Sequence, residues 1–196
     1  ISSVNSSIEQ VSYTDVNQNS LKYSEQFDIS YWQKSNVSIT SNAITAPDGT
    51  LTADLVTSNE TSTFNAILTS NSISASVQQS IYAKEGTNGS FIQINAGTGS
   101  GRFSNFDLAN GTVSNTNYAA IENVGNGWYR CSLLNNVINQ WRVLLVASLS
   151  AAQDTGTTDP NDVYLWGAQQ ESDATLSTYL PTTTVALSAI TGVTRG

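Results

Sequence analysis

Roughly ten short segments of this chain alternate apolar and polar residues, and turn-forming residues separate them at intervals of about 8–12 positions. An alternation of period two is typical of half-buried strands, whereas an amphipathic helix repeats every 3.6 residues. Many short strands with turn signals between them predict an antiparallel sandwich or barrel. No internal repeat is visible, which argues against a propeller or a solenoid. The chain is therefore expected to be all-β.

One of these segments, VYLWG at residues 163–167, is apolar on both faces. Val163 and Leu165 share one side, and Tyr164 and Trp166 share the other. A strand that is apolar on both sides is typical of the centre of a sheet, so we expect Trp166 to lie in the core. Gly167 then predicts a bulge or a close backbone approach.

Composition narrows the functional classes. The 196 residues carry a net charge of −8 with only 11% charged residues, and the seven basic residues are scattered, which argues against a nucleic-acid partner. No apolar run is long enough to span a membrane as a helix. The chain has no His and a single Cys, Cys131, which we expect to be a buried structural thiol.

The same composition argues against several kinds of catalysis. Without His, neither a Ser-His-Asp nor a Cys-His arrangement can be built. A glycosidase needs two carboxylates across one cleft, and the sequence does not place two of the carboxylates in such a pair. We therefore predict that the chain is not an enzyme.

Turn chemistry predicts where strands reverse. Asn-Gly is the strongest short hairpin signal, so hairpins are expected at Asn88-Gly89 and Asn126-Gly127. The run Ala46-Pro47-Asp48-Gly49 predicts a tight turn between two strands, because Pro presets φ and Gly accepts a positive φ.

A candidate glycan platform follows from the strand alternation. If Tyr129 and Cys131 face the core, Trp128 and Arg130 face the opposite way. Together with Tyr82 they would offer stacking and hydrogen bonds to a sugar. The alternative is that this face packs against loops or against another subunit.

Carboxylates near the two ends of the domain could hold a structural Ca²⁺, which prefers six to eight oxygen ligands. The candidates are Glu25 and Asp28 near the first strand, and Asp162, Glu171 and Asp173 near the last. The alternative is that these carboxylates are solvated turn residues.

Six segments, taken together and in this order, carry a family resemblance: LKYSEQFDISYWQKSNVSIT, APDGTLTADLV, IYAKEG, FDLANGTV, ENVGNGWYRCSL and VYLWGAQQESDATLSTYLPT. Over residues 21–186 the chain resembles the concanavalin-like or carbohydrate-binding-module-like jelly-roll domains of tail fibres and other virion proteins of tailed bacteriophages. The resemblance implies a two-sheet jelly-roll sandwich in a virion structural protein that is often trimeric. It implies no catalytic residue.

We therefore predict an N-terminal arm or linker over residues 1–20, a jelly-roll β-sandwich over 21–186 and a C-terminal tail over 187–196. The predicted function is a non-enzymatic module at the virion surface, of the fibre or capsid-decoration type. It would contact other virion proteins as a homo-oligomer, with a trimer favoured, and bind a host glycan. The alternative is a glycan-binding accessory module of a secreted or virion-associated depolymerase.

Overall fold

The computed structural model describes residues 18–59, 64–70, 76–97, 102–136, 140–157 and 160–186. Within these ranges the regular secondary structure consists of strands, and no helix is long and apolar enough to cross a membrane. The strands are β1 Gln33–Ser35, β2 Val37–Ile44, β3 Ala53–Ser58, β4 Ala66–Thr69, β5 Val77–Glu85, β6 Phe91–Asn95, β7 Phe103–Asp107, β8 Thr112–Val113, β9 Ala119–Gly125, β10 Trp128–Asn135, β11 Trp141–Leu145 and β12 Asp162–Glu171.

The strands form two six-stranded antiparallel sheets, as the all-β sandwich prediction required. Sheet A has the order β1-β4-β11-β6-β7-β8, and sheet B has the order β2-β3-β12-β5-β10-β9. The pairs β3/β12, β4/β11, β5/β10 and β6/β7 are nested in the sequence and alternate between the sheets. This wrapping is the strand order of a jelly roll, in which a folded-over antiparallel ribbon supplies both layers.

The core lies between the sheets and is built by the predicted alternation. Val163 and Leu165 point inward from β12, and Cys131 and Leu133 point inward from β10; all four are fully buried. Burial raises the pKa of the Cys131 thiol, which agrees with a structural role. Strand β12 lies between β3 and β5, so its double apolar pattern correctly predicted a central strand.

The segment before β1 closes one edge of the sandwich. Trp32 is fully buried, and its ring lies 5.2 Å from the Trp141 ring of sheet A. Its Nε1 donates to the Tyr23 carbonyl at 2.9 Å, so the buried indole keeps a hydrogen bond. Of the predicted arm, residues 1–17 lie outside the described residues, as does the predicted tail at 187–196. Ser20 already pairs with β12, because its N–H donates to the Gln170 carbonyl at 2.9 Å.

One of the two Asn-Gly hairpin predictions is confirmed and the other is wrong. Asn126 and Gly127 have φ values of 53° and 78°, as a two-residue hairpin turn requires, and they join the paired strands β9 and β10. The segment at Asn88-Gly89 instead joins β5 of sheet B to β6 of sheet A. The Asp162 side chain accepts a hydrogen bond from the Asn88 N–H at 2.7 Å, and this contact fixes the crossing between the sheets.

A bulge interrupts β12 at Gly167, as the sequence predicted. The register with β5 shifts between Trp166 and Gln169, and Gly167 has a φ of +63°. A Cβ at this position would lie 2.9 Å from Cδ2 of Tyr82 and 3.2 Å from Cζ of Tyr179. Two aromatic rings therefore pack directly on this backbone, and only glycine leaves room for them.

A buried carboxylate ties the first segment to sheet B. Asp54 in β3 is 1% exposed and accepts hydrogen bonds from the N–H groups of Phe27, at 2.8 Å, and Asn42, at 3.0 Å. Burial raises the pKa of Asp54 to about 6, although the two hydrogen bonds act in the opposite direction.

We expect Gly167→Ala to destabilise the protein by about 2–4 kcal/mol, because it combines a left-handed backbone with steric overlap. Gly125→Ala is the matched control: Gly125 has a φ of +94°, but no other atom lies within 4 Å of the place that a Cβ would occupy. The control should lose only about 1–2 kcal/mol in urea unfolding. Equal losses for both variants would show that the two rings do not press on residue 167.

We expect Asp54 to make the folded state more stable as the pH falls from about 6 towards 4. The folded protein holds a proton on Asp54 in this window and the unfolded chain does not, so the contribution to the unfolding free energy declines as pH rises through it. The difference amounts to roughly 2–3 kcal/mol. Urea unfolding of the wild type and of Asp54→Asn at several pH values measures this difference. If the unfolding free energy changed equally with pH in both proteins, the raised pKa would not belong to Asp54.

Candidate functional site

The outer face of sheet B carries a cluster of aromatic side chains. Tyr164 and Trp166 project from β12, Tyr82 from β5 and Trp128 from β10, and Tyr179 joins them from the segment after β12. These five residues are called the aromatic face below. The register places Trp166 beside Tyr82, and their ring centroids are 5.2 Å apart in an edge-to-face arrangement.

The turn at residues 45–52 folds across part of the aromatic face. Trp128 Nε1 donates to the Thr45 carbonyl at 3.2 Å, and Trp166 Nε1 donates to Thr52 Oγ1 at 3.0 Å. The two indoles are consequently only 2% and 4% exposed. The turn is the predicted one: the Asp48 carboxylate accepts a hydrogen bond from the Thr50 N–H at 2.9 Å, and Gly49 has a φ of 88°.

The segment at residues 172–182 covers a second part of the face and is held by several polar contacts. Arg130 Nη1 donates to the Ser177 carbonyl at 2.8 Å, and the Leu180 N–H donates to Gln169 Oε1 at 2.7 Å. The Tyr179 ring lies 4.7 Å from the Trp166 ring and 5.7 Å from the Tyr82 ring. This segment therefore forms a fixed wall of the face.

Tyr179 also connects the aromatic face to an acidic side chain. Its hydroxyl donates to Glu25 Oε1 at 2.9 Å and lies 2.7 Å from Ser24 Oγ. Burial raises the pKa of Glu25; the Tyr179 hydrogen bond opposes this shift, and the charge of Asp48 adds to it. Burial likewise raises the pKa of Tyr179, so its hydroxyl remains a neutral donor.

Hydroxyl groups link the carboxylate of Asp48, in the turn at 45–52, to the aromatic face. Thr50 Oγ1 donates to Asp48 Oδ1 at 2.7 Å and lies 2.6 Å from Thr52 Oγ1. Because Thr52 accepts from the Trp166 indole, a continuous polar path runs from Asp48 to Trp166. The site thus combines half-buried tyrosine rings with two carboxylates and several hydroxyls, the groups that contact the faces and hydroxyls of sugars.

The three predicted glycan-binding residues do lie together, but they are less open than expected. The Arg130 guanidinium lies 5.4 Å from the centre of the Tyr82 ring, and Trp128 packs in the same cluster. Arg130 is 8% exposed, and Trp128 is covered by the turn at 45–52, which leaves Tyr82 as the half-buried member of the three. A glycan-binding role for these residues remains a prediction.

Sequence reasoning missed the contributions of Tyr164, Tyr179 and Glu25 to this face. Tyr164 could have been found from the alternation that places it on the same side as Trp166. Tyr179 meets Glu25 across 154 positions of sequence, and no local pattern signals such a pair.

The five carboxylates proposed for Ca²⁺ do not form one site. Asp162 and Glu171 begin and end the same ten-residue strand, which places them roughly 30 Å apart. The acidic side chains have separate protein partners: Glu171 accepts from the Ser177 N–H, Asp173 from the Thr175 N–H and Glu25 from Tyr179. Asp28 is exposed on the first segment. No group of three or more His, Cys, Asp or Glu side chains within the described ranges is placed to hold a metal ion.

Comparisons with known proteins give a distant structural neighbour and no family. No protein-family model matches the chain, and no curated protein matches it. Among solved structures, the chain is similar to the enzymatically active domain of tailspike protein 4 of bacteriophage CBA120, with a TM-score of 0.42 and 14% identity. The similarity covers 78% of this chain and 21% of the other, so this chain spans about a fifth of its neighbour's length.

The comparison corrects one prediction made from the sequence. The sequence predicted that this chain is not an enzyme, whereas the neighbouring domain is described as enzymatically active, so the comparison contradicts that prediction. The predicted jelly-roll family of virion proteins is not matched by a family model. What the structure does establish is the architecture: an all-β sandwich of two six-stranded antiparallel sheets, with an aromatic face on the outside of sheet B.

Proposed function

We propose that this chain is a glycan-binding surface module of a bacteriophage virion protein, and that the aromatic face is its binding site. The observation that carries the proposal is the composition of that face. Three half-buried tyrosines, Tyr82, Tyr164 and Tyr179, surround the buried Trp166, and the carboxylates of Glu25 and Asp48 lie at the edge. The phage setting rests on the resemblance of the six sequence segments to virion jelly-roll domains.

The chemistry of a sugar ring matches this surface. One side of a pyranose is lined by C–H groups, which pack on aromatic rings, while its hydroxyls need hydrogen-bond partners at the edge. The tyrosine rings offer the first kind of contact. The hydroxyls of Thr50 and Thr52 and the two carboxylates offer the second.

The face is also preorganised. Trp166 is fixed by its bond to Thr52, Tyr179 by its bonds to Ser24 and Glu25, and Tyr82 by ring contacts on two sides. Side chains that are already fixed lose little conformational entropy when a ligand binds. In a trimeric virion protein, three such faces would add avidity to a weak single-site affinity.

A glycan array probed with the wild type and with Tyr82→Ala tests the function. We expect the wild type to bind a defined set of glycans, and Tyr82→Ala to lose at least about fivefold in affinity, because a stacking ring is removed. The affinities are measured by titration calorimetry with the best array ligand.

Tyr31→Ala is the matched control for this measurement. Tyr31 is also half-buried, but it packs against Trp32 at the edge of the main core. Its removal should lower stability without changing glycan affinity. A blank array for the wild type, or equal losses for the two variants, would remove the proposed function.

A further inference from the structure

The following inference rests on the proposed glycan-binding function and specifies its ligand. We propose that Glu25 is the specificity-determining residue of the aromatic face, and that it selects glycans with a free amino group, such as unacetylated hexosamines. The ammonium group would lie against the Glu25 carboxylate, with Asp48 nearby, while the sugar ring packs on the tyrosines.

Neither carboxylate at the edge of the face forms an ion pair with a basic side chain among the described residues. The only ion pair within the described ranges joins Arg142 to Asp154 at 3.2 Å, and it belongs to the outer side of sheet A. Glu25 and Asp48 instead repel each other, and Glu25 is half-buried. A partly buried carboxylate beside a like charge is costly in the free protein, and a cation on the ligand relieves that cost.

The Tyr179 hydroxyl, held by Ser24, donates to Oε1 of Glu25, and this bond fixes the carboxylate at the margin of the rings. The hydrogen bonds that Asp48 accepts both go to Oδ1. In the proposal, Oε2 of Glu25 and Oδ2 of Asp48 accept hydrogen bonds from the ammonium group of the ligand. Tyr179 is thus a positioning residue as well as a stacking surface.

Two basic side chains near this face, Arg130 and Lys84, already donate hydrogen bonds to other parts of the chain. Arg130 donates to the Ser177 carbonyl at 2.8 Å and to Ser80 Oγ at 3.2 Å, and it is 8% exposed. Lys84 donates to the Asn126 carbonyl at 2.8 Å. A uronate or a sialic acid would bring its negative charge next to the carboxylates of Glu25 and Asp48.

The experiment uses an array of oligosaccharides printed in matched pairs, each with free amino groups and after complete N-acetylation. Acetylation leaves the ring and its hydroxyls unchanged and removes the positive charge. We expect the wild-type chain to prefer the free-amine member by roughly tenfold, the value of one charge-assisted contact. Glu25→Gln should reduce this preference to near parity, because the amide keeps the acceptor for Tyr179 and loses the charge.

Two further variants separate specificity from folding. Tyr179→Phe keeps the ring but frees Glu25, so it should lower the amine preference. Glu85→Gln changes an exposed carboxylate at the end of β5 and should leave the preference intact. For the wild type, the preference should decline as the pH falls through the raised pKa of Glu25 and its carboxyl becomes neutral.

The outcomes distinguish the two proposals. Equal or tighter binding of the N-acetylated members overturns the role of Glu25 and leaves glycan binding standing. An amine preference that survives in Glu25→Gln also overturns it. An array on which no glycan binds the wild type removes glycan binding and the amine selectivity together.

Discussion

The contact between the Tyr179 ring and the backbone of Gly167 is the interaction on which the outer face of sheet B depends. The ring occupies the space that a side chain at position 167 would need, and it places the Tyr179 hydroxyl beside Ser24 and Glu25. Three distant parts of the chain meet there: the first segment, the central strand β12 and the segment that follows it. A local backbone bulge thereby determines how the ends of the domain pack together.

The strand pattern could be predicted because alternation is a local property. Successive residues of a strand point to opposite sides, so placing Cys131 inward also places Trp128 and Arg130 outward, as the structure has them. The doubly apolar pattern of residues 163–167 likewise predicted a strand with neighbours on both sides. Such inferences need only the sequence of one strand and the rule that apolar surface is buried.

Features that depend on distant contacts could not be predicted in the same way. The Asn88-Gly89 signal predicted a hairpin, yet the strands on its two sides belong to different sheets, because β5 pairs with β10 and β12 instead. The burial of Trp128 follows from the turn at 45–52. This turn joins β2 and β3 near one edge of sheet B and reaches over the outer face to Trp128 in β10. In both cases the deciding partner lies tens of residues away, where periodicity carries no information.

Aromatic side chains on the outer face of a sheet could have a purely structural role. The polar groups around them distinguish that role from the proposed binding role. The indoles of Trp128 and Trp166 fit the structural role, since each is covered and hydrogen-bonded by the chain itself. Glu25 fits it less well, because a half-buried carboxylate that is repelled by Asp48 is costly even with its hydrogen bond from Tyr179. Ionisable groups with perturbed pKa values concentrate at functional sites. The tryptophans therefore account for the rigidity of the face, and the glutamate supports the proposed use.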